Sequence, residues 1–400
     1  MIRVPRSKGV LVPLGIGLGA GALTIAYAAL DPRRALVAWI AAYGLCVASV
    51  VAAMVVVMVL HLTGARWWLV LRRVVLAAAG TAPVLVLLFV PIGAAFSLVY
   101  PWSSTPPGLP EPVDAALEHQ RAWNHPAFFL ARSAVYLATW TTFAILLRRA
   151  DAAHVASASP EIAQRERRLG AIGLPLTAFT LTFAAFDWLM SLQPGWTSNV
   201  FGVYVFTSGL VTAIAAIAIA TWLVARSDGR EAENGAPRGG VAPDHVHALG
   251  RLLLMAVVLW TYIGFFQLLL VWIANLPHEV AFYDVRARGS WTVVDVLLFA
   301  GRFALPFLAL LSRPLKRRAN LLAGVAAWLL VTSVLDFAWL VIPAAGGELA
   351  AADLLPFVCV PSLVWAYGAH LVQVRRRQAE SRPDIAIDPA LRDALRYRSP

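Results

Sequence analysis

A chain of 400 residues that is 60% hydrophobic and 14% charged, with a mean hydropathy of +0.71, is too apolar to be a soluble domain. Its formal charge of +11 sits in short segments beside long apolar blocks, which is a membrane-topology pattern and excludes a nucleic-acid footprint. The two cysteines, Cys46 and Cys359, both fall inside apolar blocks. The chain therefore has no disulfide framework, no CxxCH haem attachment and no iron–sulfur ligand set, and an electron carrier would belong to another subunit.

Ten apolar spans can be drawn, at 10–30, 35–62, 74–99, 126–147, 171–192, 200–225, 249–276, 291–312, 320–344 and 353–373. Each is long enough to cross roughly 30 Å of hydrocarbon at about 1.5 Å per residue, which predicts an all-α integral membrane fold. With the N-terminus inside, the inner segments carry 25 Lys and Arg and the outer segments 5. That asymmetry predicts both termini on the cytoplasmic side of the membrane.

The first span follows Arg3, Arg6 and Lys8, and its Ala26-Tyr27-Ala28 has the form of a signal-peptide cleavage site. Its apolar region is longer than a signal core, so a retained helix is expected. The Pro-rich outer loop 100–125 is expected to lie over the membrane surface or against a partner. Spans one to six form an N-terminal half (1–225), and 226–248, rich in Gly, Pro and charge around Ser227 to Pro243, reads as a linker. The C-terminal half follows (249–373), and then a polar tail (374–400). Pro389 to Tyr397 can form a short helix, but the plainer expectation is a solvated basic end beside anionic lipid.

Polar residues within these spans carry the chemistry. In span five, Thr180, Asp187 and Ser191 stack on one face, with Asp187 roughly 7 Å from the outer end. Arg132, Tyr136 and Thr139 share a face of span four at similar depth, which permits an Arg132–Asp187 pair. Span eight places Asp295 and Arg302 two turns apart on one face, and span nine groups Thr332, Ser333 and Asp336. Spans five and nine echo each other: LTFAAFDWLMSLQP and LVTSVLDFAWLVIP each set an aromatic residue after Asp and a proline seven positions beyond it. Because the two spans run the same way, the echo implies a parallel repeat about an axis along the membrane normal.

Charges so placed face the bundle interior. They form either a proton path through Asp187, Asp295, Arg302, Asp336, Arg132 and His61, or static ion pairs that fix helix register. In span seven, Trp260 and Gln267 share a face with Tyr262 nearby; these three can line a quinone-sized cleft or simply pack. His61 and His370 sit at the inner ends of spans two and ten and read as interfacial or relay histidines rather than haem ligands. Asp244, His245 and His247 read as a helix start capped by Asp244, not as a metal site.

The stretches FDWLMSLQPGWTSNVFGVY and LGRLLLMAVVLWTYIGFFQLLLVWIANLPHEV, with Gly289-Ser290-Trp291, resemble the NrfD/PsrC-like polytopic subunits. The likeness is to the ActF-type subunit (quinone-binding subunit 2) of alternative complex III, a quinol:cytochrome c oxidoreductase. It implies two four-helix bundles, spans two to five and six to nine, flanked by spans one and ten. It also implies assembly with multihaem cytochrome c and iron–sulfur subunits and with a sister NrfD-like subunit, and quinone or menaquinone as the one non-covalent cofactor. Asp187 and Asp336 are the positions to which the family's proposed proton-carrying role is carried over. The expected function is a non-haem membrane subunit that links quinol oxidation to proton movement; a secondary transporter or a purely structural anchor for redox subunits are the alternatives.

Overall fold

The computed structural model describes residues 8–103, 123–156, 159–193, 195–227, 241–380 and 389–399. Among the described residues ten helices are long and apolar enough to cross a membrane: α1 (Lys8–Leu30), α2 (Pro32–Leu62), α3 (Trp67–Leu98), α4 (Pro126–Ala156), α5 (Pro160–Trp188), α6 (Phe201–Ser227), α7 (Pro243–Ala274), α8 (Ser290–Leu311), α9 (Ala319–Val341) and α10 (Leu355–Glu380). Among the described residues there is no strand. The protein is an all-α, multi-pass membrane protein by helix length and composition. The central residues of the outer loop, 104–122, and of the linker, 228–240, lie outside the described residues.

Local chemistry sets the helix ends. Asp31 accepts from the Arg34 amide at 3.0 Å and Pro32 begins α2, while Ser159 accepts from the Ile162 amide ahead of Pro160 in α5. Helix α7 closes on Asn275 in the left-handed conformation (φ 47°), and Pro277 then opens a short helix, Pro277–Arg286.

Helices α2 and α6 form the centre. Both are the most enclosed of the ten, and a side chain at Gly209 of α6 would collide with the Ala48 carbonyl of α2, so the two backbones touch through the glycine. Around α2 pack α3, α5 and α10; around α6 pack α5, α7 and α9; and α9 also reaches α2. Helix α1 lies along α10 through Gly17 and Gly21, where a Cβ would stand 2.9 Å from Leu363 and 3.3 Å from Cys359. At the end away from the basic loops, Tyr27 and Arg34 converge on Asp353 at 2.7 and 2.8 Å, which ties α1 and α2 to the 3₁₀ turn that leads into α10.

Three sequence expectations are corrected here. Residues 243–248 are not linker: Pro243 starts α7, and His245 and His247 are buried within its first turns. The cap is not Asp244, which pairs with Arg317 at 3.2 Å; His245 instead reaches back to accept from the Ala242 amide at 3.0 Å. Nor is the tail a free solvated end. Its helix Pro389–Leu395 docks beside the start of α3 and α7: Ala394 is fully buried and its carbonyl lies 2.8 Å from His245 Nε2, Ser399 Oγ lies 2.7 Å from His247 Nδ1, and Asp393 pairs with Arg66.

Candidate functional site

The echo between spans five and nine becomes two buried carboxylate centres, each facing an arginine from the preceding helix. In the first, Arg132 of α4 donates to both oxygens of Asp187, Nε to Oδ2 and Nη2 to Oδ1, each at 2.8 Å. Tyr136 adds a hydroxyl at 2.9 Å and Trp123 an indole N–H at 3.0 Å. Four donors thus saturate a carboxylate that is 1% exposed, and the indole ring of Trp123 also stacks 4.3 Å from the guanidinium.

The second centre is built differently. Asp336 of α9, fully buried, accepts from Tyr204 at 2.5 Å and from Ser208, both on α6. Arg302 of α8 stands 3.5 Å from it through Nη2 alone, while Nη1 donates to the Ser333 hydroxyl at 2.7 Å and Nη2 to the Ser208 hydroxyl at 2.9 Å and, more weakly, to the Ser208 carbonyl at 3.4 Å. Thr212 continues the row, donating to Ser333 at 2.9 Å. Tyr204, Ser208 and Thr212 follow one another at intervals of four, so one stripe of α6 presents three hydroxyls to α9. Arg302 Nε has no hydrogen-bond partner among the described residues, and the guanidinium lies 4.7 Å from the Trp260 ring.

A π-helical stretch, Leu298–Ala304, explains how Arg302 reaches Asp336. Widening the turn rotates everything beyond it, so the two-turn stacking of Asp295 on Arg302 is lost. Asp295 is half-buried and makes no hydrogen bond with Arg302, whose bonds go to α6 and α9. The wide turn also frees the Gly301 carbonyl, and the Trp328 indole of α9 donates to it at 2.6 Å.

His61 belongs to a third cluster, at the basic end of α2 to α5. Glu166 of α5 lies 3.9 Å from His61 Nε2, 3.0 Å from His154 Nδ1 and 3.3 Å from Arg72, and Asp151 of α4 pairs with Arg72 and Arg375. His370 is exposed and stacks on Tyr367 instead. The cleft residues divide: Trp260 and Gln267 are buried, whereas Tyr262 is 60% exposed on another face of α7, so the three do not wall one cleft. Among the described residues no group of three His, Cys, Asp or Glu is placed to hold a metal ion.

The outer ends of α5 and α9 carry a further likeness. Each helix tightens into a 3₁₀ turn, and a side chain caps the carbonyls left over: Tyr100 donates to the Trp188 carbonyl at 2.9 Å, and Arg286 donates to those of Trp339 and Leu340 at 2.9 and 2.8 Å. Arg286 forms no salt bridge among the described residues; burial pushes its guanidinium down to about 9, against the opposing pull of the Tyr283 and Asp295 charges, and the Phe282 ring lies 3.5 Å from it.

The sequence reading missed Tyr204, Ser208, Thr212, Asp151, Glu166 and Arg286. The hydroxyl row was legible from its spacing of four. Asp151 and Glu166 were passed over because the apolar count ended α4 at 147 and began α5 at 171, although both helices extend into the polar layer. No family model matches this chain, and no curated protein matches it.

Proposed function

We propose that this chain is a non-haem membrane subunit of a quinol-oxidising respiratory complex of the alternative complex III type, and that its α6–α9 group carries protons released by quinol oxidation in a neighbouring subunit. In this reading it sits in a bacterial cytoplasmic membrane with both termini inside. Its partners are multihaem cytochrome c and iron–sulfur subunits and a sister NrfD-like subunit that holds the quinone. The resemblance of the Phe186–Tyr204 and Leu249–Val280 stretches supports the class of complex.

The observation that carries the proton role is the Asp336 centre. A buried carboxylate held by two hydroxyls and a single 3.5 Å arginine contact can accept and return a proton when a hydroxyl rotates, and the row through Ser333 to Thr212 extends that exchange along the helix axis. Asp187 is held differently. Each of its two oxygens already accepts two donors at 2.8–3.0 Å, so a proton can be taken only by displacing one of them, which favours a static pair fixing α4 against α5. The test is purification from native membrane: copurifying multihaem and iron–sulfur polypeptides support the assignment, and a chain that travels alone and moves a solute across vesicles sinks it.

A further inference from the structure

Where α7 meets the short helix Arg313–Arg317, an open groove of about 850 Å³ runs along the molecule's lipid-facing side. Its head end is cationic: Arg251, Arg313 and Lys316 converge there beside His247, whose Nδ1 is taken by Ser399. The three cationic side chains make no hydrogen bond or ion pair among the described residues, and the nearby acid Asp244 is committed to Arg317. Lys316 is 7% exposed, its stem laid flat against α7 because residue 250 is glycine; burial and then the Arg251 charge push its ammonium down. Three cations gathered without a counter-ion call for an anion.

Below the cations the wall turns apolar: Leu254, Met255, Val258 and Tyr262 follow Arg251 down one side of α7. Eleven residues of helix from Arg251 to Tyr262 span about 16 Å, the depth of one hydrocarbon leaflet. Free phosphate would use only the head of such a groove. An anion with an apolar tail uses both parts.

We propose that this groove binds one anionic phospholipid, with its phosphate on Arg251, Arg313 and Lys316 and one acyl chain lying along α7 toward Tyr262. The site is separate from the carboxylate centres and does not depend on the respiratory assignment.

The test is native mass spectrometry of the full chain, delipidated in detergent and offered phosphatidylglycerol or phosphatidylcholine of matched chains. Wild type is expected to retain phosphatidylglycerol about tenfold or more in preference, and Arg251→Gln/Arg313→Gln/Lys316→Gln to reduce that preference to near unity. Val258→Trp, which fills the apolar wall at a lipid-facing position and keeps every charge, is expected to lower retention with an unchanged elution profile. Three exposed cations of the same end, Arg165, Arg167 and Arg168, supply the control as Gln variants. An equal loss in that control, equal retention of both lipids by wild type, full retention in Val258→Trp, or displacement of the lipid by inorganic phosphate overturns the proposal.

Discussion

Arg132 grips both oxygens of Asp187 at 2.8 Å, across the packed faces of α4 and α5. Arg302 touches Asp336 by one nitrogen at 3.5 Å and gives its Nη1 and Nη2 hydrogen bonds to Ser333 and Ser208. The two centres occupy corresponding places in the chain yet differ in the one property that separates a lock from a relay, the number of donors the carboxylate must release to take a proton.

Removing one partner of the tighter pair leaves a buried charge without compensation. Asp187→Asn and Arg132→Met should each lower stability by about 3–5 kcal/mol, and the double variant should recover much of that loss. Thermal unfolding in detergent, followed by size-exclusion elution, measures it; additive losses in the double variant would refute the pairing.

At the looser centre the expected change is in proton movement as well as in stability. Asp336→Asn keeps hydrogen-bond capacity toward Tyr204 and Ser208 but leaves buried Arg302 without its counter-charge, so the assembled complex should form with a lowered melting temperature, while proton release coupled to quinol turnover falls at least about tenfold. Proton release measured in vesicles at matched assembly decides it: a variant that releases protons at the wild-type rate removes Asp336 from any path.

The contact between α2 and α6 makes a sharp contrast between glycines. Gly209→Ala drives a methyl group into the Ala48 carbonyl and should cost several kcal/mol or prevent accumulation of the protein, whereas Gly324→Ala, with nothing within 4 Å, should be neutral or stabilising by up to about 1 kcal/mol. Expression level and melting temperature of the two variants check this.

At the wide turn of α8, Trp328→Phe removes the donor to the Gly301 carbonyl while keeping an aromatic ring. A loss of about 1–3 kcal/mol in thermal stability is expected, because a buried carbonyl is then unpaired. An unchanged melting temperature would show that the π-helical stretch does not need this cap.

Alkaline pH should expose the Tyr100 cap. Burial, with the Asp187 charge second, holds this hydroxyl well above the ordinary tyrosine value of 10.0. The folded state therefore keeps a proton that the unfolded chain loses, so this contribution is fully present below pH 10 and declines as the pH rises above it. Tyr100→Phe should be less stable at neutral pH by about 1 kcal/mol but show a shallower alkaline decline. Melting curves from pH 7 to 11 compare the two slopes.

By itself the sequence determined the number and class of the helices, because burying about 20 apolar residues per segment is a local, additive property that composition reports directly. It also put Asp187 within reach of Arg132, since two residues at equal depth on adjacent helices need only a facing rotation. Tertiary structure alone decided that Arg302 turns from Asp295 to Asp336. That choice depends on a wide turn over Leu298–Ala304, which no apolar period encodes, and on hydroxyls from α6, a helix 94 residues away from Arg302 in the chain at Ser208. The docking of the tail on His245 and His247 has the same origin: a hydrogen bond between residues 149 apart exists only once the bundle has brought them together.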